Sequence, residues 1–125
     1  QERLSRLGKL PFDNIIYSVH FYYPFIFTKQ GIGGIKLGKQ YPSGDLNKKK
    51  LQKFLAAAVK FKNKHRVPMS VGEFSVVRWA PKLSAVRYLK HLIQIFEKND
   101  LRVAAAKLVV ISKSKCEEFY AEHKA

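Results

Sequence analysis

Cysteine is nearly absent from this sequence, which has Cys116 and no other among its 125 residues. A single cysteine excludes a disulfide within the chain and any metal site that needs several cysteines from one chain. His65, His91 and His123 fall on separate predicted elements and lack the spacing of metal ligands. The sequence therefore predicts neither a metal site nor a cofactor, and it leaves the redox compartment open.

Long hydrophobic runs are absent as well. No apolar stretch reaches the ~18 residues that a membrane-spanning helix needs, so no membrane partner is expected. The opening residues 1–4 do not resemble the start of a signal peptide. Because 46% of the residues are hydrophobic, the chain can bury a core, and we expect residues 1–125 to form a single domain.

Acidic residues are scarce: 9 aspartates and glutamates stand against 24 lysines and arginines, for a formal net charge of +15. Such a charge attracts phosphate backbones, acidic polymers and anionic surfaces. Many of the lysines fall in segment 48–64, where they are most simply the solvated face of a helix. Nucleic acid is therefore not the expected partner, although a basic nucleic-acid-binding module is kept as an alternative function.

Segments with strand and helix patterns alternate along the chain. The predicted elements are, in order, the end of a helix at Gly8, a strand at 14–21, a loop at 24–45, a helix at 46–65, a strand at 69–74, a helix at 83–98, a strand at 101–111 and a short helix after Ser114. This alternation predicts an α/β fold in which about three parallel strands are joined by right-handed crossovers. Three strands are too few to close a barrel.

Each long helix is predicted to bury one apolar stripe against the sheet. In the first helix the stripe consists of Leu51, Phe54, Leu55, Ala58 and Phe61 or Lys62. In the second helix it consists of Val86, Leu89, Ile93 and Phe96. Both sets follow the spacing of an amphipathic helix.

Polar side chains stand at the ends of the first two predicted strands. Glu73 ends the apolar run 67–74, where an ionised carboxylate is costly to hold unless something uses it. His20 and Tyr22 end the first strand, which is predicted to be buried. Because the carboxyl ends of parallel strands share one edge of a sheet, these three side chains are expected to meet. The alternative interpretation is a solvated carboxylate, a core histidine and an amphipathic strand tyrosine.

The sequences of these strands resemble those of one enzyme family. Segments 15–25 (IIYSVHFYYPF) and 67–74 (VPMSVGEF) are similar to the sixth and seventh strands of glycoside hydrolase family 5. The segments WAP at 79–81 and YLK at 88–90 strengthen the resemblance, which runs from about residue 7 to residue 98. It implies the C-terminal part of a (β/α)8 barrel. The first five strands of such a barrel have no counterpart in this chain.

The resemblance implies an endo-acting, cellulase-like hydrolase that cleaves β-1,4-glucan with retention. Glu73 matches the nucleophile of the family, while His20 and Tyr22 match the histidine and tyrosine of strand six. Tyr22 is expected to orient Glu73, His20 to contact the substrate or the other carboxyl, and Trp79 to bind sugar. The expected partner is β-glucan or a related polysaccharide, and the family resemblance implies a secreted or periplasmic protein. Considered from their residue type alone, the aromatic side chains Trp79, Tyr23, Phe25 and Phe27 either stack on sugar rings or else cover exposed core or form an interface.

Two parts of the family pattern have no counterpart here. The family places its acid/base glutamate on strand four, and no segment of this sequence matches that strand. No spacing among the later carboxylates would place one of them next to Glu73. These carboxylates are Glu97, Asp100, Glu117, Glu118 and Glu122. Segment 100–125 diverges from the family, and a frameshift or a junction is the predicted cause.

An incomplete barrel leaves one sheet edge open. Such an edge predicts a homo-oligomer in which two chains pair their edges or share a sheet. The acid/base residue would then come from elsewhere in the chain or from a partner subunit. The alternative is an inactive carbohydrate-binding remnant that uses His20, Tyr22 and Trp79.

Overall fold

The computed structural model of the chain describes residues 6–103. Its elements are β1 (Tyr17–Phe21), α1 (Phe25–Thr28), α2 (Lys48–His65), β2 (Met69–Phe74), α3 (Lys82–Lys98) and β3 (Arg102–Val103). The three strands form one parallel sheet in the order β1-β2-β3, which confirms the predicted α/β fragment. None of the helices in this range is long and apolar enough to cross a membrane. The predicted terminal helix and most of the predicted third strand lie outside the described residues.

The first strand differs from its prediction in length and in burial. It starts at Tyr17, whose N–H donates a 3.1 Å hydrogen bond to the Pro68 carbonyl, rather than at residue 14. Its side chains alternate, so that Ser18 and His20 are exposed while Phe21 is buried. The expectation of a buried strand was therefore wrong, because within residues 6–103 β1 is an edge strand that pairs on one side.

The predicted loop after β1 contains a short helix. Pro24 precedes α1 with a φ of −84°, a value suited to a helix start, and its carbonyl accepts hydrogen bonds from the N–H groups of Phe27 and Thr28. The remaining residues up to the start of α2 are irregular, as their glycines predicted. The segment after β1 therefore combines one hydrogen-bonded helical turn with irregular backbone.

Helix α2 agrees closely with its predicted bounds and face. Asn47 caps its start by accepting a hydrogen bond from the Lys50 N–H, and Arg66 ends it with a left-handed φ of 52°. Its buried side chains are Leu51, Leu55, Ala58 and Phe61, while Phe54 packs against the core from a half-buried position. The Phe61 ring lies 5.2 Å from the Tyr17 ring, so this face packs on the sheet as expected.

Helix α3 buries only part of its predicted stripe: Phe96 is buried and Leu89 packs against the core from a half-buried position, but the other two predicted positions are exposed. Its buried side chains are Ser84, Tyr88, Leu92, Ile95 and Phe96. Val86 and Ile93 were expected inside but are 57% and 41% exposed. The buried face of α3 is therefore rotated relative to the predicted one, and Tyr88 explains the rotation. Its ring packs 5.1 Å from Phe27 and its hydroxyl donates to the Tyr23 carbonyl at 2.7 Å. A tyrosine with a satisfied hydroxyl can occupy the centre of a core, which a hydropathy pattern does not register.

Candidate active site

A bulge between β1 and β2 sets the geometry of the site. The strands pair Val19 with Val71 and then shift register, so that His20 pairs with Glu73. Gly72 is the extra residue on β2, and a Cβ there would lie 2.6 Å from Ser18 Oγ and 3.3 Å from the His20 ring. A side chain at position 72 would therefore displace Ser18 or His20, and the bulge brings His20 and Glu73 side by side.

One carboxylate oxygen of Glu73 takes both of its side-chain contacts. The Tyr22 hydroxyl donates a 2.8 Å hydrogen bond to Oε2, and His20 Nδ1 lies 3.4 Å from the same oxygen. No hydrogen bond from residues 6–103 reaches the other oxygen, Oε1. The three side chains that the sequence placed at one edge of the sheet thus form one cluster.

The Glu73 carboxylate is open to water. Its side chain is 39% exposed and that of His20 is 57% exposed. A carboxylate at this depth keeps much of its hydration, so the expected high cost of holding the charge was wrong. Glu73 is accessible to a ligand from solvent.

The Tyr22 phenol is suited to donate to this carboxylate. Burial raises the pKa of Tyr22 above its ordinary value, and the hydrogen bond to Glu73 and the negative charge of Glu73 raise it further. A raised pKa keeps the phenol protonated, and a protonated phenol can donate to Glu73.

Aromatic side chains surround the segment that follows β1. Tyr23 stacks on Phe25 and Phe54 with ring centroids 4.8 Å and 5.4 Å away. The Lys29 ammonium lies 4.7 Å from the Phe25 ring and 5.6 Å from the Tyr22 ring.

Phe27, in the same segment, is fully buried and belongs to the core rather than to a sugar-binding surface. The Thr28 hydroxyl donates to the Tyr22 carbonyl and so fixes the backbone beside the site.

Trp79 lies in the loop after β2 and is tied to the segment after β1. Its indole N–H donates a 2.6 Å hydrogen bond to the Gln30 carbonyl, and the nearby Val77 N–H donates to the Thr28 carbonyl at 3.0 Å. The structure therefore links Trp79 to the Glu73 cluster through residues 22–30. Sequence reasoning missed Gln30 and Gly72, although a glycine inside a strand pattern is a recognised signal of a bulge.

The other carboxylates that the structure describes do not join this cluster. Asp100 lies 3.5 Å from the Lys62 ammonium, and Glu97 is exposed on α3. Glu117, Glu118 and Glu122 lie outside residues 6–103. Within the described range there is also no group of three or more His, Cys, Asp or Glu side chains that could hold a metal ion.

No protein-family model matches the chain. The chain is 26% identical to endoglucanase C of Acetivibrio thermocellus, in an alignment that covers 80% of this chain and 38% of that enzyme. Cellulose synthase subunit Z of Clostridioides difficile has the same fold over 86% of this chain and 37% of its own, with 26% identity and a TM-score of 0.76. Endoglucanase Cel5A of Thermotoga maritima gives 26% identity and a TM-score of 0.74 over 87% of this chain and 36% of its own.

These similarities relate the chain to the cellulase-like glycoside hydrolases of family 5, and its sheet to a part of their barrel. The chain spans less than two fifths of the length of these relatives. A shorter similarity connects it to nucleoside diphosphate kinase of Bdellovibrio bacteriovorus, with 42% identity over 52 residues, which is 42% of this chain and 36% of that protein. Parts of two different enzymes are thus similar to this one sequence.

Proposed function

We propose that this chain supplies the nucleophile of an endo-acting, retaining hydrolase of β-1,4-glucan. The observation that carries the proposal is the arrangement at Glu73, where both side-chain contacts fall on Oε2 and none from residues 6–103 falls on Oε1. A carboxylate held through one oxygen presents the other to an anomeric carbon. The similarity to endoglucanases supports the substrate class.

In the proposed reaction Glu73 Oε1 attacks the anomeric carbon and the glycosidic carbon–oxygen bond breaks. The leaving oxygen takes a proton from a carboxylic acid, and a covalent glycosyl–enzyme forms. Water then attacks the anomeric carbon, gives its proton to the same group, and releases Glu73. Tyr22 orients the nucleophile by donating to Oε2, while His20 and Trp79 bind the sugar.

The acid/base residue is proposed to come from another polypeptide segment. A retaining pair needs its carboxyl groups about 5–5.5 Å apart, and no second carboxylate contacts the cluster within the described residues. Among residues 6–103 β1 pairs on one side only, and its other side lies next to the site, so we propose that the complementary segment docks there. In the isolated chain a second copy would occupy this edge.

Covalent trapping tests the nucleophile without requiring the acid. A 2,4-dinitrophenyl 2-deoxy-2-fluoro-β-cellobioside carries a weakly basic phenolate that leaves without a proton, and its fluorine slows hydrolysis of the glycosyl–enzyme. Attack by Glu73 forms the carbon–oxygen bond to the protein and releases the phenolate with its electron pair. We expect a glycosyl mass increase on the peptide that contains Glu73.

Two variants make this experiment specific. Glu73→Gln should abolish the mass increase, whereas Glu97→Gln, which changes an exposed carboxylate on α3, should leave it unchanged. Absence of any adduct, or an adduct that persists in Glu73→Gln, would remove Glu73 from the proposed role. Adduct formation without release of reducing sugar from β-glucan would support the requirement for an external acid.

A carbohydrate-binding remnant without turnover is the second candidate function. It is favoured by the lack of a second carboxylate beside Glu73 among residues 6–103. Binding of cellohexaose without an adduct on Glu73 and without reducing-sugar release would select this function over hydrolysis.

The origin of the divergent segment 100–125 is a separate proposal. We propose that a frameshift or a junction replaced the end of an ancestral glycoside hydrolase, because the resemblance to family 5 ends near residue 98. The nucleotide sequence, translated in all three frames, should then contain the lost strand-eight segment. Its absence from every frame would overturn the proposal.

A further inference from the structure

A buried glutamine underlies the position of Trp79. The Gln30 carbonyl accepts the 2.6 Å hydrogen bond from the Trp79 indole N–H. The Gln30 side chain itself is fully buried, which is uncommon for a long polar side chain in a loop. Such a side chain is expected to have partners for its amide group.

The Gln30 amide makes three hydrogen bonds to its own loop. Its Nε2 donates to the carbonyls of Phe27 at 3.0 Å and Lys39 at 3.2 Å. Its Oε1 accepts from the Lys39 N–H at 2.9 Å. These bonds join Gln30 to Phe27 on one side of the loop and to Lys39 on the other. They hold the Gln30 carbonyl, which accepts the hydrogen bond from Trp79, in a fixed position.

Gly31, the next residue, also lies against the indole of Trp79. Its φ is +82°, and a Cβ on it would lie 2.9 Å from Trp79 Nε1 and 2.7 Å from a Leu37 methyl group. The edge of the indole therefore lies directly against the backbone of residues 30 and 31. A side chain at position 31 would displace either Trp79 or Leu37.

We propose that Gln30 is a positioning residue for Trp79. It holds the indole, before any ligand binds, in the orientation in which a β-linked glucose ring stacks on it. The inference rests on the proposed function in that it takes Trp79 as a sugar-binding residue. A preset aromatic ring loses little freedom when a sugar stacks on it, which favours binding. Gln30 itself makes no contact with the sugar in this arrangement.

The fluorescence of Trp79 tests the proposal directly, because the sequence contains one tryptophan. Gln30→Met keeps the length of the side chain and removes all three hydrogen bonds. In the protein without ligand we expect the emission maximum to move to longer wavelength and acrylamide quenching to increase. Cellohexaose binding should weaken about fivefold, as for the loss of a typical hydrogen bond.

Ser84→Ala is the matched control. Ser84 is buried on α3 and anchors the same loop, since its hydroxyl accepts from the Tyr41 N–H and donates to Gln40. We expect its tryptophan emission to equal that of the wild type. Unchanged emission in a folded Gln30→Met protein, or an equal shift in Ser84→Ala, would overturn the positioning role.

If the emission of the wild type does not respond to cellohexaose, the sugar-binding role of Trp79 is wrong. The positioning role is then still decided by the emission and quenching measured without ligand.

Discussion

Tyr22 and Glu73 are 51 positions apart in the sequence, yet the phenol of one donates a 2.8 Å hydrogen bond to the carboxylate of the other. The pair joins the ends of two parallel strands. Its hydrogen bond falls on Oε2, and no hydrogen bond from residues 6–103 reaches Oε1.

Tyr22→Phe should slow the formation of the glycosyl adduct on Glu73 by about tenfold, because a hydrogen bond to a charged group is lost. The measurement is the rate of the mass increase with the fluorinated cellobioside. Tyr23→Phe is the control, since it makes the same chemical change one residue away from the contact. Equal rates in wild type and Tyr22→Phe would contradict an orienting role for Tyr22.

Gly72→Ala should lower the free energy of unfolding by about 1–3 kcal/mol, because its Cβ would overpack against the neighbouring strand. The nearest atoms are Ser18 Oγ at 2.6 Å and the His20 ring at 3.3 Å. Urea unfolding measures the loss. The double variant Ser18→Ala, Gly72→Ala should recover part of it, and a Gly72→Ala protein as stable as the wild type would exclude a need for glycine at the bulge.

Alkaline pH should destabilise the protein through its buried tyrosines. Burial raises the pKa of Tyr41 from 10.0 to about 12, and burial also raises the pKa of Tyr88. Between pH 10 and 12 the folded protein keeps the Tyr41 proton that the unfolded chain has lost, so stability is full below pH 10 and falls as the pH rises.

Urea midpoints measured across this range should therefore fall more steeply in the wild type than in Tyr41→Phe. At neutral pH the variant should be the less stable of the two, because it lacks the 2.8 Å hydrogen bond between Tyr41 and His91. Equal slopes in the two proteins would show that Tyr41 does not titrate as its burial implies.

The isolated chain should form dimers through the open edge of β1. Ile16 is 59% exposed immediately before this strand, and a lysine there places a charge where a second copy would pair. We expect Ile16→Lys to be monomeric by sedimentation while the wild type is dimeric. Leu83→Lys, which changes a 70% exposed leucine on α3, should remain dimeric. A wild type that sediments as a monomer would contradict the proposed pairing.

The order of the strands and helices could be predicted from local pattern. The alternation of helix and strand signals predicted a parallel sheet, and the stripe of α2 was correct at Leu51, Leu55 and Ala58. These features depend on residues close in sequence, so the spacing of apolar residues along the chain predicts them. The α3 stripe failed at Val86 and Ile93, because Tyr88 packs against residues from distant segments.

The sequence by itself determined which groups are present at the site: a carboxylate, an imidazole and a phenol at two strand ends. Only the tertiary structure decided how they meet. The bulge at Gly72 shifts the register so that His20 pairs with Glu73, and the Tyr22 hydroxyl donates its hydrogen bond to Oε2 of that carboxylate. Register and side-chain direction depend on contacts between distant segments, which no local pattern records.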